Sequence, residues 1–330
     1  MRTASADAPI DPIPSDSRLT ALSFDGSGRP ALEKWYDDAV LSFWTPNEVR
    51  LDDDVIDYTT KLTPGERRFI NHILAFFATA DGIVNINLAE RFRNEVKIIE
   101  ATRFYNFQMT MEDIHATMYS VLLKTLVTDP SEQRRLIDAV HTMPIIAEMS
   151  RFMFDCIGSD APFAERLLRM ACVEGIFFTG CFCAIYWLCA RGLMTGLGKS
   201  NEFIARDEAL HTLFAMYLYT LLRPDCKLTA ARVIEIVQEA VAVAVRFIRE
   251  ALPTGLMGMN ADLMIPYIQC QADNLVHLIG IAPIYGTRHS FDFMEQINLT
   301  GRTNFFERKT TDYHRVSQPI TAVSDVATDF

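Results

Sequence analysis

The segment ACVEGIFFTGCFCAIYWLCA, Ala171 to Ala190, is a 20-residue apolar run interrupted by one carboxylate, Glu174. A run this long and this apolar reads either as a membrane span or as a helix buried on every side. An isolated ionised carboxylate in such surroundings is strongly unfavourable unless it is paired, protonated or bound to a metal. No basic cluster flanks the run, and the mean hydropathy of the whole chain is only +0.09. The segment therefore reads as a central buried helix that owns a site, with no membrane involved.

With 330 residues, 49% of them hydrophobic, the chain can build one large helical domain with a sizeable core. The formal net charge of −11 leaves no obvious positive face for phosphates and argues against a nucleic-acid partner. Seven cysteines, at 156, 172, 181, 183, 189, 226 and 270, form an odd set without a Cys-x-x-Cys pair. The N-terminus MRTASADAPIDPIPSDS has no apolar segment of the signal-peptide kind. Both features point to the reducing cytoplasm, with the thiols acting mainly as small buried hydrophobes.

Residues 1 to 30, rich in Pro, Ser, Asp and Gly, read as a flexible leader, and Lys309 to Phe330 as a flexible tail. Between them, residues 31–308, nearly every segment reads as helix. Thr63-Pro64-Gly65-Glu66 is a capping box with Pro at the first helical position, and its apolar pattern runs to about Phe92. A second long helix spans about Glu95 to Val127, and shorter ones about 131 to 157, broken at Met143-Pro144. The helix holding Glu174 starts near Pro162 and ends at Arg191-Gly192. Ser200-Asn201 opens the next, which ends at Arg223-Pro224, and two more cover about 229 to 251 and 259 to 280. Strand-like alternation is scarce, so the expected fold class is all-α, a bundle of long helices.

Two of these helices contain the same word. It reads Glu112-x-x-His115 in MEDIHATMY and Glu208-x-x-His211 in ARDEALH. Residues three apart share a helical face, so each word aims a carboxylate and an imidazole at one point. A four-helix di-metal carboxylate site needs two such words and one acid from each of two further helices. Asp81, 31 residues before Glu112, and Glu174, 34 before Glu208, supply them. Glu174 is thus read as a metal ligand. Hard oxygens with imidazole nitrogens suit iron or manganese better than structural zinc. The looser Asp138-Ala-Val-His141 has no partner segment and reads as an exposed face, and Asp52-Asp53-Asp54 as a solvated charge run or helix start. Tyr119 follows His115 by four residues, and Phe178 and Phe182 follow Glu174 by four and eight, which places all three toward the same interior. A tyrosine beside an oxygen-activating metal pair and walled by phenylalanines can be oxidised to a radical kept from solvent.

These residues, with the stretches FWTPNEV, LAFFATADGIVNINLAERF, FYNFQMTMEDIHATMYS, SNEFIARDEALH and NFFERK, resemble the small, radical-generating subunit of class I ribonucleotide reductase, most closely its eukaryotic and viral branch. The resemblance implies a ferritin-like fold, two iron ions per chain (manganese being possible), O₂ for activation, and a radical on Tyr119. It places the metal ligands on Asp81, Glu112, His115, Glu174, Glu208 and His211, and the radical pocket on Phe178, Phe182 and Ile204. It implies a relay through Trp44, Asp207 and His115, with Arg206 beside it, and on to Tyr313 in the tail. The partners implied are a second copy of the chain and a large subunit on which the tail, ending Asp329-Phe330, docks. The chain departs from the family at IIAEMSRFMFDC, in its extra cysteines around 181 to 189, and in the ending ATDF; no ligand is touched. Two rivals stand beside this reading. One is a ferritin-like di-iron oxidase or hydroxylase acting on a small molecule; the other is a non-catalytic paralogue, which should have lost ligands.

Overall fold

The computed structural model describes residues 29–288 and 291–294, together with Ile13. Among the described residues there is no β-strand, only an isolated bridge between Leu256 and Met259. The helices are α1 (Pro30–Leu41), α2 (Asp52–Ile56), α3 (Pro64–Asn87), α4 (Arg93–Glu95), α5 (Ile99–Leu126), α6 (Pro130–Ile137), α7 (Ala139–Thr142) and α8 (Pro144–Gly158). They are followed by α9 (Phe163–Cys172), α10 (Thr179–Ala190), α11 (Thr195–Leu221), α12 (Ala230–Ala251) and α13 (Ala261–His277). The first unit of the chain extends to Phe291; of the second, 292–330, only Asp292, Phe293 and Met294 are described, and they are helical. The expected tail from Lys309, Tyr313 and the NFFERK stretch lie outside the described residues, as does the leader apart from Ile13 and the start of α1.

The expected capping box opens α3. The Thr63 hydroxyl accepts from the Glu66 N–H, and the Glu66 carboxylate accepts from the Thr63 N–H at 2.7 Å. α3 lies along α5, and α9, α10, α11 and α12 complete the core. The helix holding Glu174 runs as expected from Phe163 to Ala190, but its middle, Val173–Phe178, widens into a π-type turn between α9 and α10. Such a turn inserts one residue and re-aims the side chains within it. The helix packs closely there, since a Cβ on Gly175 would stand 3.0 Å from Thr212 Cγ2 on α11.

The stretches Pro64–Glu95 and Phe163–Ala190 are long and apolar enough to span a bilayer, yet 72% and 78% of their most apolar windows are buried in this structure. α10 is apolar all round and therefore central, whereas α12 keeps a polar face outward. Phe76 anchors the centre, with its ring 5.6 Å from Phe178 and 5.7 Å from Phe247. Cys172, Cys181 and Cys183 are buried, as small hydrophobes would be.

Two expectations need correction. α11 opens at Thr195, not at Ser200-Asn201, because the N–H groups of its first turn find acceptors far away in sequence. Gly196 and Leu197 donate to Asp54 at 2.8 and 2.7 Å, and Met194 donates to Asp57 at 2.9 Å. Asp52-Asp53-Asp54 open α2, in line with the helix-start reading, with Asp52 and Asp53 exposed; Asp54 alone departs from the solvated-run reading, as a wholly buried cap. The approach demands glycine at 196, where a Cβ would overlap the Arg50 carbonyl oxygen. It also holds Met194 in the left-handed region at φ 57°.

Candidate metal centre

Four helical segments converge on one point. α3 supplies Asp81, α5 supplies Glu112 and His115, the π-type turn supplies Glu174, and α11 supplies Glu208 and His211. All six predicted ligands are at most 2% exposed. Their ligating atoms fall into two groups, Asp81 with Glu112 and His115, and Glu112 with Glu174, Glu208 and His211. Glu112 belongs to both.

The distances show how the two halves are joined. Glu112 presents Oε2 to His115 Nδ1 at 3.4 Å and Oε1 to His211 Nδ1 at 3.2 Å. Glu208 does the same, with Oε1 3.0 Å from His115 Nδ1 and Oε2 3.2 Å from His211 Nδ1. Each of these carboxylates thus offers one oxygen to each imidazole. Asp81 and Glu174 stand at the two ends.

Despite this crowding, both Asp81 oxygens, Glu112 Oε2, Glu208 Oε1 and His115 Nδ1 are buried without a hydrogen-bond partner. Lone pairs that meet but lack protons to share are costly in a protein interior and are the chemistry of a cation site. Burial, and then the charge of Glu112, push the Asp81 carboxyl well above the usual range. Burial and Glu208 do the same to Glu174. Burial also opposes ionisation of Glu112, but its contacts with His115 and His211 outweigh this and hold it at about 2. Burial disfavours charge on His115 as well, yet Asp207, Glu112 and Glu208 lift it well above its ordinary value, and carboxylates lift His211 likewise. The cluster alone can offset its negative charge only with protons, and divalent cations would displace them. The donor set of four carboxylates and two imidazoles suits iron or manganese.

Around this cluster the other expected residues take defined places. Tyr119 is buried and without a hydrogen-bond partner for its hydroxyl; burial, and then the charges of Asp81, Glu208 and Glu112, push the phenol well above its ordinary value. Its ring stacks on Phe77 with centroids 4.8 Å apart and planes 10° apart, and Phe77 in turn meets Phe178 at 5.4 Å and Phe182 at 5.1 Å. Ile204 is buried one turn before Glu208 on α11. Phe77, the direct partner of Tyr119, escaped the sequence reading although it lies four residues before Asp81 on the same face. Gln108 escaped it too; four residues before Glu112, it donates to Glu112 at 3.3 Å and to Glu174 at 3.0 Å. Cys181 is a further unexpected neighbour of Tyr119, seven residues after Glu174.

On the other side of His115, Asp207 Oδ2 lies 3.1 Å from Nε2 and accepts from Trp44 Nε1 at 2.8 Å. A His115 that donates from Nε2 keeps Nδ1 as a lone pair aimed at the cluster. The Trp44 and His115 rings are near-parallel at 6.0 Å. Arg206 donates to the Ser42 carbonyl and, at 3.4 Å, to Asp207. The structure thus joins Trp44, Asp207 and His115 in one buried chain. By contrast, Asp138 and His141 are exposed and 3.9 Å apart, the isolated pair their sequence context suggested.

The family model described as "Ribonucleotide reductase, small chain" matches residues 28–291. The ribonucleoside-diphosphate reductase small chain of Nicotiana tabacum is 50% identical over 288 residues, 87% of each chain. That of Trypanosoma brucei brucei is 49% identical over 87% of this chain and 84% of its own. The structure of the ribonucleotide reductase Rnr4 homodimer from Saccharomyces cerevisiae superposes with a TM-score of 0.77 at 28% identity, covering 88% of this chain and 91% of that one. On this sequence similarity, shared helical fold and convergent ligand set, the chain belongs to the ribonucleotide reductase small-chain family.

Proposed function

We propose that Tyr119 carries the radical through which this chain, the radical-generating small subunit of a ribonucleotide reductase, serves deoxyribonucleotide synthesis. The observation that carries the reading is a buried, unpartnered Tyr119 hydroxyl beside six convergent ligands and against a wall of phenylalanines. Asp81, Glu112, His115, Glu174, Glu208 and His211 would hold two iron ions, with manganese acceptable to the same donors. Iron bound there would supply, with O₂, the power to oxidise the Tyr119 phenol. Phe77, Phe178 and Phe182 exclude water and reductants from the ring, and Gln108 orients Glu112 and Glu174. Asp207 fixes both the Trp44 indole and the His115 imidazole, which makes Trp44 the outlet for the hole.

Beyond the described residues, the proposal extends to Tyr313 as the next stop, to the tail as the anchor on a large subunit, and to a homodimer in the cytoplasm. The oxidase alternative gains nothing from the family match, and a paralogue that had lost its ligands would not bring all six together. The test is low-temperature electron paramagnetic resonance on metal-free protein loaded with ferrous iron and exposed to air, with Tyr119→Phe beside it. A tyrosyl signal present in the first and absent in the second is expected. A tyrosyl signal that persists in Tyr119→Phe, or none at all with iron bound, overturns it.

A further inference from the structure

Trp44 has a second ring neighbour that the relay does not explain. Phe203, half-buried on α11, lies near-parallel to the Trp44 indole with centroids 5.1 Å apart and planes 29° apart. Two cations stand over the Phe203 ring, with Lys199 Nζ 4.4 Å and Arg206 Cζ 5.4 Å from its centroid. Two carboxylates share this neighbourhood, since Glu202 pairs with Lys199 at 3.0 Å and Asp207 with Arg206 at 3.4 Å. Trp44 therefore sits in a graded field. Its N–H edge faces the Asp207 carboxylate, which favours positive charge on the indole, while Phe203 carries two cations that oppose it.

We propose that Phe203, loaded with Lys199 and Arg206, is a positioning residue that makes Trp44 a point of transit for the electron hole and not a resting place. The Phe203 ring keeps the indole stacked and partly shielded from water, and the cations over the same ring raise the cost of leaving a hole on Trp44. Lys199 and Arg206 are 47% and 40% exposed, so water screens both charges and what reaches Trp44 is a modest bias. Phe203 itself exchanges no electron and no proton; the electron concerned is the one that radical generation already moves through Trp44. The inference rests on the reading of Trp44 as part of the relay.

The experiment is rapid-mixing visible spectroscopy of the iron-loaded full chain with O₂, following the transient absorption of oxidised tryptophan, in wild type, Lys199→Glu, Lys199→Arg, Phe203→Leu and Trp44→Phe. Lys199 is exposed, so its variants fold as wild type does, and near-ultraviolet circular dichroism of the metal-free proteins checks this. The transient is expected to disappear in Trp44→Phe and to match wild type in Lys199→Arg. In Lys199→Glu and Phe203→Leu its amplitude or lifetime should grow about threefold or more. A Trp44-dependent transient that is equal in wild type, Lys199→Glu and Phe203→Leu overturns the role of Phe203 while leaving the relay intact. No Trp44-dependent transient in any variant overturns the relay reading, and this proposal with it.

Discussion

Asp54 and Asp81 are both wholly buried acids, yet they are buried in opposite ways. Asp54 takes two backbone N–H groups from the start of α11, so each oxygen has a donor. Asp81 has no donor on either oxygen and faces other acids and two imidazoles. Burial raises the pKa of both, so burial does not separate them. What separates them is the supply of protons. A structural acid is given backbone donors by the fold, whereas a metal-binding acid is left with lone pairs that only a cation can share.

Metal addition should sharpen this contrast most. Ferrous iron under anaerobic conditions should stabilise the wild-type chain by about 4 kcal/mol at a thousandfold excess over its dissociation constant. Asp81→Asn should lose most of that gain, yet in the metal-free form be no less stable than wild type, since it replaces an unpartnered acid whose ionisation burial already opposes. Thermal unfolding with and without metal measures both. The next largest effect should come from Asp54→Ala, which strands two buried N–H groups and should cost about 2–4 kcal/mol whether or not metal is present. If Asp54→Ala were to weaken metal stabilisation, the two kinds of acid would not be separable.

A third kind of acid extends the comparison. Glu165 is held below its ordinary value of 4.5 chiefly by Arg232, against the pull of burial, with help from Arg169. The ionised form is therefore favoured in the folded state. Its contribution should be present in full above about pH 4.5 and be lost as pH falls through the lower folded value. Glu165→Gln should flatten that part of the acid-unfolding curve by about 1 kcal/mol or less, because Arg232 is partly exposed. The smallest effect belongs to the exposed pair, for which Asp138→Ala and His141→Ala should change stability by no more than about 0.5 kcal/mol. Neither should alter metal uptake.

The convergence of the six acids and imidazoles was legible because it obeys the helical period. Glu112 and His115, and Glu208 and His211, repeat a local spacing, and the two partner acids stand out as charges inside apolar helices. The same rule, applied four residues backward from Asp81 and from Glu112, would have found Phe77 and Gln108. The cap on α11 was not legible, because Asp54 lies 142 residues before Gly196 and no local pattern links them. The opening of that helix was misplaced for the same reason, since Thr195 to Lys199 is a weak start until distant carboxylates satisfy its N–H groups. Phe203 reads in sequence as one more apolar position of α11, and only the fold sets it on Trp44 beneath two cations.

The most direct test of the central claim is an anaerobic titration of metal-free protein with ferrous iron, read as bound iron per chain and protons released. The account predicts two irons per chain with proton release in wild type. It predicts tight binding reduced to one or none when Asp81→Asn and Glu174→Gln remove the end ligands of the two halves. Two irons retained in the double variant, or fewer than two bound by wild type, would contradict it.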